Sequence, residues 1–419
     1  MKAGAAFFIA LRYLWGRARE GGRYLRGAAA GIGVSLIPII VTLIVADGMI
    51  RGIVDRYLEL GTGHIQVFNF FEPGEFREAG EKLAGLEGLR GIWQERRGMA
   101  VIAGRKGRTG AAIRAIDPSF WEDSGGYLVS LEGVSKPETG RDVLLGESLA
   151  SAVGAETGDT IRILTLGQSA SGGGMPRVSA FTVRGIVSSG YHELDALWCV
   201  VSPEGGNRIL FPEFSSSSLL VKIGDPYRGV EAAAGSFRSV LGHGYSVYTW
   251  KDLMRSRYSS YVSTRQLLLF IMALVVTVAA VNVSSATSML VIERRRDIAI
   301  LKAQGASASG IRSVFLWGGF LTGLAGTAAG IAVGLFIGNF INQIIYALER
   351  ILNFFSGFFS AGELKILDPG YYLETIPVVI DWPAVFLVGC FAIVCSVIAS
   401  WIPAGRAGRL MPLELLRKY

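Results

Sequence analysis

Long stretches without a single charged side chain alternate along this chain with stretches of mixed polarity. Four charge-free runs, 27–46, 266–292, 313–348 and 382–405, match or exceed the ~20 apolar residues a helix needs to cross a bilayer. They predict transmembrane helices at 27–50, 259–292, 311–348 and 382–405, the second extended backwards as a stalk. The third run is longer than a bilayer requires. It therefore projects beyond the hydrocarbon or ends before its last residues.

Between the first two spans, over 51–258, the pattern changes. Alternation of period two in "HIQVFNF", "TIRILTL", "FTVRGIV", "ALWCVVS" and "SSLLVKIG" predicts strands. In the last of these, Leu219, Val221 and Ile223 share one face opposite Leu220 and Lys222. Helical patterns intervene at 75–89, 147–153 and 227–241. "GQSASGGGMPR" lies between two strand signals and reads as an exposed hairpin tip. The fold class is an integral membrane α-helical protein with four transmembrane helices and a large α+β extracytoplasmic domain inserted between the first and second spans. Before the first span, "FFIALRYLWGRAREGGRYLR" mixes aromatics and arginines at helical spacing. Residues 1–26 thus read as an amphipathic helix on the membrane surface. Span one itself reads as an uncleaved anchor, because no clean A-x-A site follows it.

Charge sets the orientation. Lys2, Arg12, Arg17, Arg19, Arg23 and Arg26 precede span one, against Glu20 alone. Arg294, Arg295, Arg296, Lys302 and Arg312 separate spans two and three, and Arg406, Arg409, Arg417 and Lys418 follow span four. The short loop 349–381 instead carries Glu349, Glu363, Asp368, Glu374 and Asp381 against Arg350 and Lys365. The positive-inside rule places residues 1–26, the segment 293–310 and the tail 406–419 in the cytoplasm. The net charge of +7 sits beside the apolar runs and forms no basic-aromatic surface, so it argues for membrane topology and against nucleic acid. At 51% hydrophobic and 18% charged residues, the composition agrees.

Candidate chemistry is sparse. No G-x-x-x-x-G-K-[ST] loop occurs, nor any Gly-Lys pair, so a standard P-loop ATPase is excluded from this sequence. His64, His192 and His243 are far apart, without metal-ligand spacing, and read as structural. Cys199, Cys390 and Cys395 cannot form a disulfide framework. "GES" at 146–148 lacks the second glycine of a nucleophile elbow. No ionisable residue lies near mid-span, which disfavours an ion relay, and Asp47 at the outer end of span one reads as solvated. No catalytic residue, metal site or cofactor is assigned to this chain. Gly326, Gly330, Gly334 and Gly338 recur every four residues in span three, a stripe for close helix packing or for helices that slide.

The segment between spans two and three is patterned rather than plain. Ile298 and Leu301 share one helical face, and Gly305 supplies a helix stop. Such a helix can lie on the headgroups or dock into a groove on a soluble partner, and periodicity does not separate these.

"ERRRDIAILKAQGAS", from Glu293 to Ser307, resembles the cytoplasmic signature E-x-x-x-[DE]-I-[AG]-[IV]-L-[KR]-x-x-G-A-[ST] of the MacB/FtsX/LolC-LolE class of ABC transporter permeases. "AAVNVSSATSML", "YYLETIPVVIDW", "SVIASWIPAGRAGRLMPLELLRKY", "LGTGHIQVFN", "DVLLGESLASAVGAETGDTIRIL" and "FTVRGIVSSGYHELDALWCVVS" are similar to the lipoprotein-releasing LolC/LolE branch, so the likeness covers most of the chain. The resemblance implies a multi-pass bacterial inner-membrane permease subunit, both termini cytoplasmic, with residues 51–258 periplasmic. It implies a second permease subunit, cytoplasmic ABC ATPase subunits carrying ATP and Mg, a lipoprotein substrate and a periplasmic carrier. Glu293, Arg294, Arg295, Asp297, Ile298, Leu301, Lys302, Gly305, Ala306 and Ser307 would form the ATPase-coupling helix. Gln168, Met175, Pro176 and Arg177 would occupy the place of a carrier-binding hook, although the Gly- and Ser-rich tip departs from the usual pattern. Val41, Ile44, Met49, Leu268 and Met272 would line a lipid-facing cavity. Two alternatives stay open: a MacB-like mechanotransmission permease for peptide or drug efflux, and an FtsX-like regulator of cell-wall hydrolases.

Overall fold

A computed structural model describes the chain except for residues 1–2, 16–20, 70, 73–74, 123, 125, 134–135, 138, 169–173, 357–372, 374 and 411–419. The centre of the Gly-rich tip, Arg17 and Arg19 of the N-terminal segment, most of the loop before span four and the end of the tail lie outside the described residues. Helices α1 (Ala3–Trp15) and α2 (Gly21–Arg56) come first. Then follow β1 (Ile65–Asn69), α3 (Arg77–Ala84), β2 (Leu89–Ala103), β3 (Arg108–Ile116), β4 (Val129–Gly133) and β5 (Asp142–Gly146). Next come α4 (Glu147–Val153), β6 (Thr160–Gln168), β7 (Gly174–Ser188), α5 (His192–Asp195), β8 (Trp198–Val201) and α6 (Pro203–Ile209). β9 (Ser215–Ile223), α7 (Val230–Leu241), β10 (Tyr245–Thr249) and α8 (Trp250–Leu253) complete this stretch. Long helices then return: α9 (Arg255–Glu293), α10 (Arg295–Ala303), α11 (Ala308–Asn339), α12 (Ile341–Ser356) and α13 (Trp382–Arg409). The chain divides into two compact units, 1–49 with 261–362 and 376–419, and 50–260 with 363–375.

In the helical unit α2, α9, α11 and α13 are long and apolar enough to cross a membrane. A helix is the natural choice there, because in lipid every backbone polar group must be satisfied within the segment. Ile32, Leu36, Ile40 and Ile44 of α2 are buried with Val276 and Val283 of α9 and Val388 and Ala392 of α13. α11 approaches its neighbours through glycines. A Cβ on Gly330 would lie 2.7 Å from the Gly33 carbonyl oxygen, and one on Gly323 would lie 2.8 Å from Ser396 Cβ. Ser396 Oγ donates to the Gly319 carbonyl at 2.8 Å, a short link that small residues permit.

Two expectations change here. The charge-free run 313–348 is two helices, with α11 ending at Asn339 and α12 beginning at Ile341. Lack of charge marks apolar character and says nothing about continuity; Phe340, at φ −101° and ψ 17°, departs from helical conformation between the two. The predicted surface helix over 1–26 is described only in part, and its described part is seated in the bundle rather than lying free on a surface. α1 ends at Trp15, and α2 already runs from Gly21. Ala6 and Ala10 are buried in the bundle, and Phe7 meets Trp317 edge to face at 5.2 Å. The described part is apolar apart from Arg12, so small residues seat it against α11.

The second unit is a 10-stranded mixed sheet ordered β10-β1-β9-β2-β3-β8-β5-β7-β4, with β6 pairing β2 and β7. Most pairs are antiparallel; β3/β8 and β5/β7 are parallel. Ile102, Ile113, Val143, Leu149, Ile163 and Val183 build one core. A second core gathers Phe120, Trp121, Trp198 and Leu220 around the π-helical turn Tyr57–Thr62 that follows α2. Here β9 departs from the two-faced expectation. Leu219, Leu220, Val221, Lys222 and Ile223 are all buried, because β9 is covered on both faces. Lys222 donates to the Phe120 carbonyl at 2.8 Å and lies 3.2 Å from Glu59.

Candidate functional site

The Glu293–Ser307 signature forms one short helix held at both ends. Glu293 closes α9, and Arg294, at φ −93° and ψ 18°, turns the chain into α10. Arg294 reaches Asp297 at 3.2 Å, across the first turn. At the far end Gly305 adopts φ +88°, a conformation that favours glycine because it lacks a Cβ. The Ala306 amide donates to the Leu301 carbonyl at 3.0 Å. Ser307 then caps α11, its hydroxyl accepting from the Gly310 amide at 3.2 Å.

The two apolar residues picked out by spacing face inward. Ile298 is buried, with Leu301 and Ala306 partly buried beside it, in a cluster that includes Leu25, Val291, Ile311, Phe315 and Ala407. Lys302 Nζ donates to the carbonyls of Gly408 at 2.6 Å and Leu410 at 2.7 Å. A cation there satisfies carbonyls that the end of α13 leaves without helical partners. Most of the signature thus serves the bundle itself. Arg295, Arg296, Ile300, Ala303 and Gln304 are exposed. Ile300, 45% exposed, is the apolar residue that α10 turns outward, and sequence reasoning missed it. Its signal was present: an isoleucine off the Ile298–Leu301 face, with Arg296 and Gln304 one helical turn to either side.

The glycine stripe of α11 meets α2: Gly326 faces Ala29 and Ile32, Gly330 faces Gly33 and Leu36, Gly334 faces Ile40, and Gly338 faces Ile44. Of the residues expected to line a cavity, Ile44 and Met272 are buried in the bundle core, with Leu268 packed on it. Val41 and Met49 are partly buried. Within one chain Ile44 and Met272 are packing residues rather than lining, since α2, α9 and α13 close around them.

Asp47, expected to be solvated, is only 12% exposed and lies 2.8 Å from Arg265 of α9. The same guanidinium bonds Asp381, which caps α13. Nearby, Asn342 of α12 makes two bonds to Ile376, accepting from its amide at 3.1 Å and donating to its carbonyl at 2.9 Å. A Cβ on Gly48 would strike the Pro377 carbonyl at 2.0 Å, so the Ile376–Pro377 stretch is held by α2 as well as α12.

In the sheet unit β6 and β7 form the expected hairpin, with Gln168 paired to Gly174. Met175 is 62% exposed, Pro176 is exposed, and Arg177 stacks on Phe211 at 5.6 Å. His64 is buried; its Nδ1 accepts from the Ile223 amide at 2.9 Å, which leaves Nε2 facing Glu59 at 3.2 Å. Burial alone would raise the Glu59 carboxyl, but His64 and Lys222 outweigh it and bring it down to about 2. His192 Nδ1 lies 2.7 Å from Ser148 Oγ. Among the described residues no group of three His, Cys, Asp or Glu side chains forms a metal site.

Residues 269–412 match the FtsX-like permease C-terminal domain. The chain is 29% identical over 419 residues to the lipoprotein-releasing system transmembrane protein LolC of Xylella fastidiosa, covering 98% of both chains. It is 22% identical to LolE of Haemophilus influenzae over 99% of both. The periplasmic region of MacB from Actinobacillus actinomycetemcomitans aligns with 48% of this chain and 95% of its own, at 15% identity and a TM-score of 0.32. The chain thus combines four helices long and apolar enough to cross a membrane with an FtsX-like permease domain over 269–412, and along its length it is similar to proteins named LolC and LolE.

Proposed function

We propose that this chain is a permease subunit that extracts lipoproteins from the outer leaflet of the inner membrane and passes them to a periplasmic carrier. ATP hydrolysis, with its Mg, takes place on a separate ATPase subunit, and a second permease chain, identical or homologous, completes the complex. The sheet unit stands in the periplasm between spans one and two, and both termini are cytoplasmic. One observation carries this reading: similarity to a lipoprotein-releasing protein runs through 98% of both chains, sheet unit included. The absence of any Gly-Lys pair, and hence of a phosphate-binding loop in this sequence, supports a motor on another subunit.

In this reading α10 is the contact for the ATPase, through Arg296, Ile300 and Gln304 rather than Ile298 and Leu301. Ile298 and Leu301 hold α10 onto the bundle, so force on its outward face passes into α9 and α11. The test uses the purified chain with its ATPase and second permease in proteoliposomes. ATP should release an acylated lipoprotein to soluble carrier. A complex that binds ATPase and hydrolyses ATP yet releases no lipoprotein would show the cargo to be wrong. Ile300→Asp should cut ATPase co-purification at least tenfold while leaving the permease folded. Undiminished co-purification would remove α10 as the contact.

A further inference from the structure

The end of α13 carries a feature that neither the coupling helix nor the proposed cargo requires. Between the start of α11 and the end of α13 lies an open cleft of about 510 Å³. Its charged lining is Arg312, Arg406 and Arg409, and among the described residues no acidic one contributes to it. The Arg312 guanidinium lies 3.8 Å from the centre of the Trp401 ring, which fixes the direction of its donors. Arg406 and Arg409 are exposed. Space here comes from a glycine: a Cβ on Gly405, which lines the cleft, would meet nothing within 4 Å. One turn on, a Cβ on Gly408 would lie 2.8 Å from the Ala308 carbonyl, so the helices touch and the cleft ends there.

An apolar track leads into this cup. Val394, Ile398 and Ile402 follow one another at four-residue spacing on α13 and are 53%, 64% and 64% exposed. Ile402 belongs to the cleft lining. Trp401 beside it is the residue type that settles at headgroup level in a membrane-spanning helix. Three guanidiniums with no acidic residue beside them in the described lining, at the headgroup end of an apolar track, match a molecule with an anionic phosphate at one end and acyl chains at the other. We propose that this cleft binds an anionic phospholipid, its phosphate held by Arg312, Arg406 and Arg409 and its acyl chains lying along Val394, Ile398 and Ile402. Guanidinium forks suit phosphate oxygens, and basic pockets between transmembrane helices bind such headgroups. The inference needs only that the helices cross a membrane.

Full-length protein in a neutral detergent would be titrated with phosphatidylglycerol, with phosphatidylcholine of the same acyl chains, and with inorganic phosphate. Bound lipid would be read by native mass spectrometry. Phosphatidylglycerol should bind at least tenfold tighter than phosphatidylcholine. Each Arg→Gln change should weaken it about fivefold, and R312Q/R406Q/R409Q by about a hundredfold. Gly405→Leu keeps every charge and suits a helix, yet fills the cleft, so it too should lose the preference. Unchanged phosphatidylglycerol binding by the triple variant or by Gly405→Leu would overturn the proposal. Complete displacement of the lipid by millimolar inorganic phosphate would make the cup a site for free anions and overturn it as well. Loss of ATPase co-purification by the triple variant, with lipid binding intact, would reassign the cleft to a protein contact.

Discussion

Val278, Phe386, Leu387 and Ile398 of the helical unit point outward, between 64% and 73% exposed, whereas Ile102, Ile113, Val143 and Ile163 of the sheet unit are wholly buried. The polar groups are distributed the other way. The sheet unit buries Glu95, Arg114 and Lys222, whereas the interior of the helical unit holds Thr287, Thr322, Ser396 and Ser400. The difference teaches which force assembles each unit. Water drives apolar strands together, and the sheet unit can then tolerate buried charges if they are paired. Between helices in lipid no such drive exists, so association depends on close backbone approach and short hydroxyl bonds.

The helical side of this contrast breaks most readily at Gly330, where an added Cβ would meet the Gly33 carbonyl at 2.7 Å and Leu36 Cβ at 2.9 Å. Both obstacles are backbone or the root of a side chain, so neither can swing away. Gly330→Leu should cost about 3 kcal/mol or more and separate α11 from α2. The check is protease sensitivity in detergent, which should rise in the helical unit alone. Gly318→Ala, whose Cβ meets nothing within 4 Å, serves as the control in the same helix. Equal behaviour of the two variants would sink the claim that close approach holds this bundle.

On the other side, Arg114 tests whether the sheet unit's charges depend on being paired. Its guanidinium bonds Glu95 and the Leu60 carbonyl, and donates to the Gly61 carbonyl at 2.8 Å. Arg114→Leu leaves Glu95 buried with Arg97 as its remaining ion partner, and should cost about 3–5 kcal/mol. Adding Glu95→Leu should recover a large part, because the uncompensated charge is then gone. Thermal unfolding of the single and double variants decides it. A double variant no more stable than the single would show that packing, not charge pairing, is at stake.

These charges also explain what the sequence could and could not reveal. The spans were legible because membrane helices exclude charge over long runs, a signal one residue type cannot blur. β1, β6, β7, β8 and β9 each lie on a run whose pattern predicted a strand. β2 and β3 do not, since Glu95, Arg96, Arg97 and Arg114 interrupt their pattern. Those residues look like a loop in sequence, and only their pairing in space makes a strand of them. Ile298 and Leu301 were legible as a face, but period alone names no partner, and the face belongs to the bundle. The break at Phe340 left no trace in hydropathy, because an apolar residue in a non-helical conformation reads like any other.

Glu59 sharpens the same point with pH. An unfolded glutamate takes up its proton near the ordinary value of 4.5, while folded Glu59 keeps its charge down to about 2. The unfolded chain therefore binds protons first as pH falls, so this stabilisation is complete above pH 4.5 and drains away between 4.5 and 2. The gap is on the order of 3 kcal/mol. Glu59→Gln should lower the melting temperature of the sheet unit at pH 6 and flatten its decline between pH 4.5 and 3. An equally steep decline in the variant would transfer the acid sensitivity to other carboxylates.

Lys302 is the place where the helical unit uses a charge as the sheet unit does, to satisfy backbone that would otherwise lack a partner. Its two bonds to the Gly408 and Leu410 carbonyls are the reason the last turn of α13 stays closed against α10. Lys302→Met keeps the aliphatic stem and removes both bonds, at a cost of about 1–2 kcal/mol. The loss should be local, since Ile298 still anchors α10 and the glycine stripe still holds α11. Amide exchange in the last turn of α13 should quicken about tenfold, while the sheet amides keep their rates. Slowed or unchanged exchange there would mean that the turn is held by packing around Ala404 and Ala407. The contrast between a bundle built on close approach and a sheet built on paired charge would then extend to the helix ends as well.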